Sequence, residues 1–233
     1  RMQALAAIAR WSSRVLLPPR CLVCGDGGVD GLDLCACCRA ELPWNRHACT
    51  RCALPVPAGS DCPRCLHAPP PFGYAHAAFV YAFPIDRLLP RFKFHDDLAA
   101  GALLATLLNW SLDPAQRPQA LLPVPLHRSR LRQRGYDQAL ELAKALAREA
   151  RLPLLASRLQ RRRPTQAQTE LGASARRRNV LGTFALAPGP PLPAHVALVD
   201  DVLTTGATAG ECAQLLLEAG VERVDLWVVA SAP

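Results

Sequence analysis

Apolar residues along the chain fall into two kinds of run, short ones typical of strands and longer ones with helical spacing. The short runs predict strands at 75–83, 121–124, 195–199 and 224–230. The longer runs predict helices at 97–110, 138–150 and 206–219, the last closed by Gly220. Strands separated by helices of about 10 to 15 residues favour an α/β fold with a doubly wound, mostly parallel sheet. Because such sheets bind ligands beyond the carboxyl ends of their strands, we expect a site at the loops after Val124 and Val199.

Two stretches do not follow this alternation. Residues 1–20 carry apolar side chains at helical spacing around Arg10 and Arg14, which predicts an amphipathic helix that packs on the protein or lies on a membrane surface. The stretch lacks the cleavage site of a signal peptide and no run of 18 apolar residues occurs, so neither export nor a transmembrane helix is expected. Residues 158–184 hold two runs of three arginines and little apolar periodicity, which predicts a mobile basic loop.

The cysteines are concentrated near the start of the chain, where nine of the ten fall between Cys21 and Cys65. Eight of them form Cys-x-x-Cys pairs that recur every 13 or 14 residues, namely Cys21/Cys24, Cys35/Cys38, Cys49/Cys52 and Cys62/Cys65. Because four thiolates complete the tetrahedral shell of Zn²⁺, the eight predict two structural zinc sites. The cysteine-rich segment of about 45 residues buries too little apolar surface to fold alone, so metal binding would supply its folding free energy.

The spacing leaves two questions about these sites open. Each zinc could be held by two adjacent pairs or by two interleaved ones, and Cys37 could ligate in place of Cys38, although the spacing favours Cys38. The remaining cysteine, Cys212, is expected to be buried in a helix. Metal-ligand pairs in place of disulfides favour the reducing cytoplasm as the location.

Prolines mark the boundary between the cysteine-rich module and the rest of the chain. Residues 67–74 contain three consecutive prolines, which favour an extended backbone and predict a stiff linker. The 233 residues are therefore predicted to divide into an amphipathic helix at 1–20, a double zinc ribbon at 21–66, a linker at 67–74 and one α/β domain at 75–233.

Positive charge is concentrated in the middle of the chain. Residues 127–178 hold fourteen basic and four acidic residues, a net charge of +10, whereas the whole chain carries +8. Such a field favours polyanions, namely nucleic acid, an acidic membrane surface or a polyphosphorylated small molecule. A general preference for arginine explains the pattern equally well, because lysine occurs only at Lys93 and Lys144.

The strongest signal for a binding site follows the predicted strand at 195–199. Asp200 and Asp201 come directly after it, and a small polar loop at 204–208 leads into the next helix. Adjacent carboxylates can accept hydrogen bonds from vicinal sugar hydroxyls, while loop amides and a helix N-terminus bind phosphate. Gly206 would let the backbone approach the anion closely. The chain lacks the motifs of a Walker loop and of a dinucleotide fingerprint, and helix capping alone would need only one of these residues.

The run from Asp200 to Thr208 resembles the phosphoribosyl pyrophosphate (PRPP) loop of type I phosphoribosyltransferases. Other stretches resemble the ComF family, which joins a double zinc ribbon to such a domain. These stretches are Leu34-Cys35 to Leu42-Pro43-Trp44, Phe92-Lys93-Phe94-His95, Pro123-Val124-Pro125-Leu126-His127, Arg134-Gly135-Tyr136-Asp137-Gln138, and Gln168 to Asn179-Val180. The chain departs from the family at Asp137, where Asn is frequent, and at Ala175, where an acid often precedes the arginine run.

The resemblance implies a type I phosphoribosyltransferase fold with a site for PRPP, whose pyrophosphate is accompanied by Mg²⁺. The two acids would hold the ribose hydroxyls and residues 204–208 the 5-phosphate. A loop at 161–178 would close over the reaction centre. The implied contact residues are Asp200, Asp201, Val202, Leu203, Thr204, Thr205, Gly206, Ala207 and Thr208, with Arg134 and Gly135 near the pyrophosphate.

The ComF family is associated with natural competence. The resemblance therefore implies a cytoplasmic protein that handles incoming single-stranded DNA beside the import machinery, free or peripheral to the inner membrane. Aromatic residues for base stacking are sparse, at 6% of the chain. Two alternatives are a phosphoribosyltransferase of nucleotide salvage and a regulator that senses PRPP without turning it over. No acceptor site or base stands out, so the sequence leaves open whether the protein is an enzyme, and it identifies no catalytic residue.

Overall fold

The computed structural model describes residues 18–57, 62–94, 97–126, 131–132, 135–162 and 182–232. The first 17 residues of the predicted amphipathic helix, Arg134 and most of the predicted basic loop lie outside these ranges. The helices are α1 (Ala36–Ala40), α2 (Pro63–His67), α3 (Ile85–Phe94), α4 (Leu98–Ser111), α5 (Gln138–Ala150) and α6 (Ala207–Glu218). The strands are β1 (Tyr74–Val80), β2 (Ala120–Pro123), β3 (Leu159–Arg161), β4 (Phe184–Leu186), β5 (His195–Leu203) and β6 (Arg223–Ser231).

A four-stranded parallel sheet forms the centre of the C-terminal part. Its strand order is β1-β6-β5-β2, and all three pairings are parallel. All four residues of β2 and all but one of β6 are buried, as expected for strands covered on both faces. Helices α3, α4 and α5 pack on the face that carries Ala197 and Val199, and α6 packs on the face that carries Val196 and Leu198. The predicted doubly wound α/β fold is therefore confirmed.

The helices and strands predicted from hydrophobic spacing are present, with shifted boundaries. The largest shift is in β5, which continues beyond the apolar run through the two acids to Leu203. Helix α3 was not predicted, because it is short and contains Pro90. The prediction of irregular structure throughout 158–184 is wrong at both ends, since β3 and β4 pair there as an antiparallel ribbon.

The order of the strands reverses between β2 and β5. From β2 the chain passes through α5 to Leu154, which pairs in parallel with Leu121 on the outer side of β2. From β5 it passes through α6 to β6 on the opposite side. Doubly wound sheets bind ligands at such a switch point, beyond the carboxyl ends of the strands. The expected location is therefore the crevice between Val124 and Asp200.

The cysteine-rich module packs directly on the sheet and its helices. Leu34 is fully buried in the same apolar cluster as α3 and α4. The backbone N–H of Asn45 donates to the carbonyl oxygen of Ala78 across 2.9 Å, at the free edge of β1. Phe72, in the predicted linker, is 1% exposed and belongs to the apolar cluster under α6. Through Phe72 the linker packs in one apolar cluster with both the cysteine-rich module, at Ala53, and the sheet with α6.

Helices α3 and α4 approach each other closely at a glycine. A Cβ atom on Gly101 would lie 2.5 Å from Cε2 of Phe92, so a larger residue does not fit there. Asp97 begins α4 by accepting a hydrogen bond from the amide of Ala100 at 3.0 Å. Because Phe92 is fully buried in this contact, the next residue, Lys93, is held at the end of α3.

No helix among the described residues combines the length and the apolar character that crossing a bilayer requires.

Candidate functional site

The sulfur atoms of eight cysteines form two compact groups. Within each group all four Sγ atoms lie within 4.8 Å of one another. The first group is Cys21, Cys24, Cys35 and Cys38, and the second is Cys49, Cys52, Cys62 and Cys65. Sulfur separations include 3.6 Å for Cys24–Cys35 and 3.5 Å for Cys52–Cys62. Four sulfurs at about 2.3 Å from one Zn²⁺ would lie about 3.8 Å apart in a tetrahedron. Both four-cysteine groups therefore fit structural zinc.

Within the first group, backbone amides favour the thiolate form of Cys21. The amide of Cys38 donates to Sγ of Cys35 at 3.4 Å. Burial raises the pKa of Cys21, but hydrogen bonds from the amides of Cys24 and Cys35 outweigh burial and lower this pKa to about 6. Metal ligation requires the deprotonated sulfur, so this arrangement suits a zinc ligand.

The grouping answers the two questions that spacing left open. Adjacent pairs combine, not interleaved ones, and the buried Cys38 belongs to the first group while Cys37 is exposed outside it. Cys212 is fully buried in α6, as predicted. None of the ten cysteines, each within the described residues, forms a disulfide.

The two acids lie at the carboxyl end of β5 and line a cleft of about 220 Å³, which we call the acid-pair cleft. It opens at the predicted switch point, because Val124 from the end of β2 forms the opposite wall. Oδ2 of Asp201 is 3.1 Å from Nζ of Lys93. Oδ1 of Asp200 accepts a hydrogen bond from the amide of Asp201 at 2.8 Å. Both side chains thus face the cleft and not the apolar core.

Asp200 binds a proton more strongly than an exposed aspartate does. Burial, and after it the charge of Asp201, raises the pKa of Asp200 to about 8, while the charge of Lys93 lowers it. The raised pKa favours the uncharged form of Asp200 near neutral pH, close to the positive charge of Lys93. The four oxygens of the acid pair still offer acceptors for sugar hydroxyls, and the local charge repels a phosphorylated ligand less than two carboxylates would.

Asp137 fixes the loop that follows β2. Its Oδ1 accepts a hydrogen bond from the amide of Leu140 and caps α5, and its Oδ2 accepts one from the amide of Leu126, both at 3.1 Å. Burial raises the pKa of this carboxyl, and the charge of Asp201 adds to the rise. The side chain therefore ties the start of α5 to the wall of the cleft opposite Asp200.

The turn between β5 and α6 forms a second recess of about 40 Å³, which we call the loop recess. Gly206 begins α6 with a φ of 73°, a conformation that favours glycine. Among the described residues, no side chain caps this helix, and the amide of Ala207 has only a 3.4 Å contact with Oγ1 of Thr205. The positive end of the helix dipole at the start of α6 makes this turn suitable for an anion.

Arg64 connects the second cysteine group to this turn. It lies between Cys62 and Cys65 in α2, and its guanidinium donates to the carbonyl oxygens of Thr204, at 3.3 Å, and of Thr205. The zinc ribbon thus buttresses the loop that the sequence indicates for phosphate.

The structure brings together most of the predicted contact residues. Each residue from Asp200 to Thr208 lines the acid-pair cleft, the loop recess or both. Gly135 takes a φ of 83° in the turn before α5 and lines neither space, and Arg134 lies outside the described residues. Sequence reasoning missed Lys93 and Arg64 as site residues. Lys93 carried a signal, since it is one of two lysines and lies in a stretch that resembles ComF proteins, whereas Arg64 carried none.

Comparison with known proteins identifies the family. A family model described as a double zinc ribbon domain matches residues 12–66. Competence protein F of Haemophilus influenzae is 34% identical over 223 residues, which cover 91% of this chain and 97% of that protein. The chain belongs to the ComF family.

Further similar proteins carry two kinds of name. DNA utilization protein YhgH of Escherichia coli O157:H7 is 33% identical over 201 residues, covering 83% of this ComF chain and 88% of that protein. Competence protein ComFC of Streptococcus pneumoniae is 28% identical over 224 residues, covering 88% and 96%. The crystal structure of TT1426 from Thermus thermophilus matches with a TM-score of 0.36 at 17% identity, covering 57% of this chain and 83% of that one, a likeness too weak to bear on the fold.

Proposed function

We propose that this ComF protein binds PRPP at the switch point of its sheet and acts in DNA uptake, handling incoming single-stranded DNA on the cytoplasmic side of the membrane. The DNA role rests on relatives named for competence and for DNA utilization. The PRPP role rests on the acid pair and the turn beside it.

One observation carries the PRPP site: the acid-pair cleft and the loop recess are adjacent and share four lining residues. Asp200, Val202, Thr204 and Thr208 line both spaces, so a single ligand can occupy them together. The larger space presents carboxyl oxygens, and the smaller one presents the amides at the start of α6. A sugar that carries a terminal phosphate has the matching groups in the matching order.

PRPP would lie with its 5-phosphate in the loop recess and its ribose hydroxyls on the acid pair. Hydrogen bonds from amides to a charged phosphate contribute about 1.5–3 kcal/mol each, so a few of them outweigh repulsion from one remaining carboxylate. The pyrophosphate would face the loop after β2 and Arg161 of β3, which lines the cleft. Mg²⁺ bound to the pyrophosphate would neutralise part of its charge.

The residues that line the cleft favour binding of PRPP, because no side chain among those described is placed as a general base for phosphoribosyl transfer. Besides the acid pair, the carboxylate among its described lining residues is Asp137, and both of its oxygens are engaged by backbone amides. A general base needs a free acceptor within reach of the proton it removes. This supports a PRPP-binding protein of DNA uptake, or a regulator that senses PRPP.

A phosphoribosyltransferase of nucleotide salvage is the second candidate. It is favoured by Arg161, the first residue of the predicted closing loop, because Arg161 lines the cleft. In that proposal the loop would exclude water from an activated ribose.

Deletion of the gene tests the proposed role in the cell. We expect transformation by added DNA to fall and to be restored by the wild-type gene, with no requirement for a purine or pyrimidine. A nucleobase requirement would instead favour salvage. In parallel, purified zinc-loaded protein is screened for pyrophosphate release from PRPP with Mg²⁺ and a panel of nucleobases, with the Asp200→Asn variant as the control. Release above that control would make the protein a transferase.

A further inference from the structure

A groove separate from the PRPP site opens at the free edge of the sheet. The zinc-ribbon segment 43–50 makes three backbone hydrogen bonds to β1, namely Val80 N to Pro43 O and Asn45 N to Ala78 O, both at 2.9 Å, and Ala75 N to Thr50 O at 2.7 Å. Residues of this segment and of β1 line two sides of the groove, and the end of α4 lines the third. The space is about 600 Å³, larger than the acid-pair cleft. It lies along the first part of β1, two strands away from β5.

Large aromatic side chains line this aromatic groove. Trp44, Tyr74 and Trp110 are three of the seven tryptophan and tyrosine residues of the chain, in which aromatic residues make up only 6%. Trp110, near the end of α4, is 54% exposed. Trp44 is half-buried and packs against Phe79 with ring centroids 4.6 Å apart. The groove therefore presents the exposed indole of Trp110 and the indole of Trp44, which is held in place by Phe79.

The polar side chains inside the groove include an uncharged histidine. Nε2 of His76 is 2.7 Å from Oγ of Ser111, whose hydroxyl donates to the carbonyl oxygen of Leu108 at 2.7 Å. Since that hydroxyl has one proton, Nε2–H of His76 donates to it, and Nδ1 is the acceptor for the hydroxyl of Tyr74 at 3.5 Å. Burial lowers the pKa of His76 to about 4, so the ring is neutral at physiological pH.

One cation stands at the rim. Among the described lining residues, Arg46 alone carries a charge; it is exposed and forms no ion pair with another described residue. Burial, and after it the charges of Asp113 and Asp225, raises the pKa of Tyr74, while the charge of Arg223 lowers it, so that hydroxyl stays protonated. Aromatic faces, neutral hydrogen-bonding groups and a single rim guanidinium match a base with an adjoining phosphate.

We propose that the aromatic groove binds an unpaired nucleobase of single-stranded DNA, with the base on the indole of Trp110 and a neighbouring phosphate on Arg46. This inference rests on the proposed role in DNA handling, for which it supplies a contact site. Stacking does not depend on base identity, which suits a protein that handles incoming DNA of any sequence. A free nucleotide has the same chemistry, and the experiment separates the two sources.

The groove is tested by the binding of a labelled oligothymidylate of fifteen nucleotides to zinc-loaded, full-length protein. Affinity is measured by fluorescence anisotropy at fixed salt. We expect Trp110→Ala and Arg46→Ala each to lower the affinity about tenfold, and Trp110→Phe to retain most of it because a ring remains. The matched controls are Phe83→Ala, which removes an aromatic side chain that is 49% exposed elsewhere, and Arg148→Ala, which removes an exposed cation on α5. Both should bind like the wild type.

The outcomes separate this inference from the proposed function. Oligonucleotide binding that is equal in the wild type and in all groove variants overturns the groove and leaves the DNA role in place. Absence of binding by the wild type overturns both. Equal losses for Trp110→Phe and Trp110→Ala would contradict stacking, and displacement of the oligonucleotide by equimolar thymidine monophosphate would assign the groove to free nucleotides instead of DNA.

Discussion

Replacing Asp200 by Asn should stabilise the ligand-free protein while removing its affinity for PRPP. Burial and the charge of Asp201 raise the pKa of Asp200 from its usual 3.8 to about 8 in the folded protein. Between these two pH values the folded state binds the proton and the unfolded state does not, so the free energy of unfolding falls as the pH rises. Asparagine does not titrate, yet it keeps an oxygen for the amide of Asp201.

The size of the effect follows from the shift. The difference between a pKa of 3.8 and one of about 8 sets an upper bound of about 5–6 kcal/mol, at about 1.36 kcal/mol per pH unit. Because Asp200 is half-buried and solvent in the cleft screens its charge, we expect about 2 kcal/mol of this to be recovered. For a chain of this length, about 1 kcal/mol moves Tm by about 2–4 °C, so Asp200→Asn should raise Tm by about 4–8 °C at pH 8.5.

Thermal unfolding at pH 5 and pH 8.5, with and without PRPP and Mg²⁺, measures both halves of the prediction. The difference between variant and wild type should be large at pH 8.5 and small at pH 5, and PRPP should raise Tm of the wild type alone. Glu149→Gln, which neutralises an exposed acid on α5, is the control and should change neither value. A lower Tm for Asp200→Asn at pH 8.5, or a difference that does not depend on pH, would refute the reasoning.

Other predictions address the parts of the site that come from elsewhere in the chain. Arg64→Met removes two hydrogen bonds to the turn before α6 and should weaken PRPP binding about fivefold to thirtyfold, or about 1–2 kcal/mol, in calorimetric titration; unchanged affinity would contradict the buttressing role. Lys93→Met removes the cation beside Asp201 and should weaken PRPP binding about tenfold, whereas the same change at the exposed Lys144 should not; equal effects would argue against the pairing. Cys52→Ser should lower the zinc content from about two to about one per chain by elemental analysis, and a content of two would exclude Cys52 as a ligand.

The sheet could be predicted from hydrophobic pattern because its strands are covered on both faces. Runs such as the buried β2 then stand out as continuous apolar segments. The end of β5 could not be predicted, since the acids interrupt the apolar run although Asp200 still pairs with Val228 in the ladder. Helix α3 was hidden by Pro90, yet the helix buries Leu88 and Phe92 against the core. There tertiary packing outweighs a local preference.

The candidate site was predictable only where its parts are neighbours in sequence. The acid pair and the turn before α6 form one contiguous stretch, so local chemistry identifies them. Lys93 and Arg64 reach the site from other elements, and Arg64 is 140 residues away from Thr204 in the chain. Which of many arginines and lysines meets the site is decided by how α2 and α3 pack, and no local spacing contains that information.

Calorimetric titration of zinc-loaded protein with PRPP and Mg²⁺ tests the central claim most directly. The wild type should bind one PRPP per chain, ribose 5-phosphate should compete with it, and the Asp200→Asn/Asp201→Asn double variant, still folded by its thermal transition, should bind at least about a hundredfold more weakly. Equal binding by the double variant, or no binding by the wild type, would contradict the assignment of this turn and its two acids to a phosphoribosyl ligand.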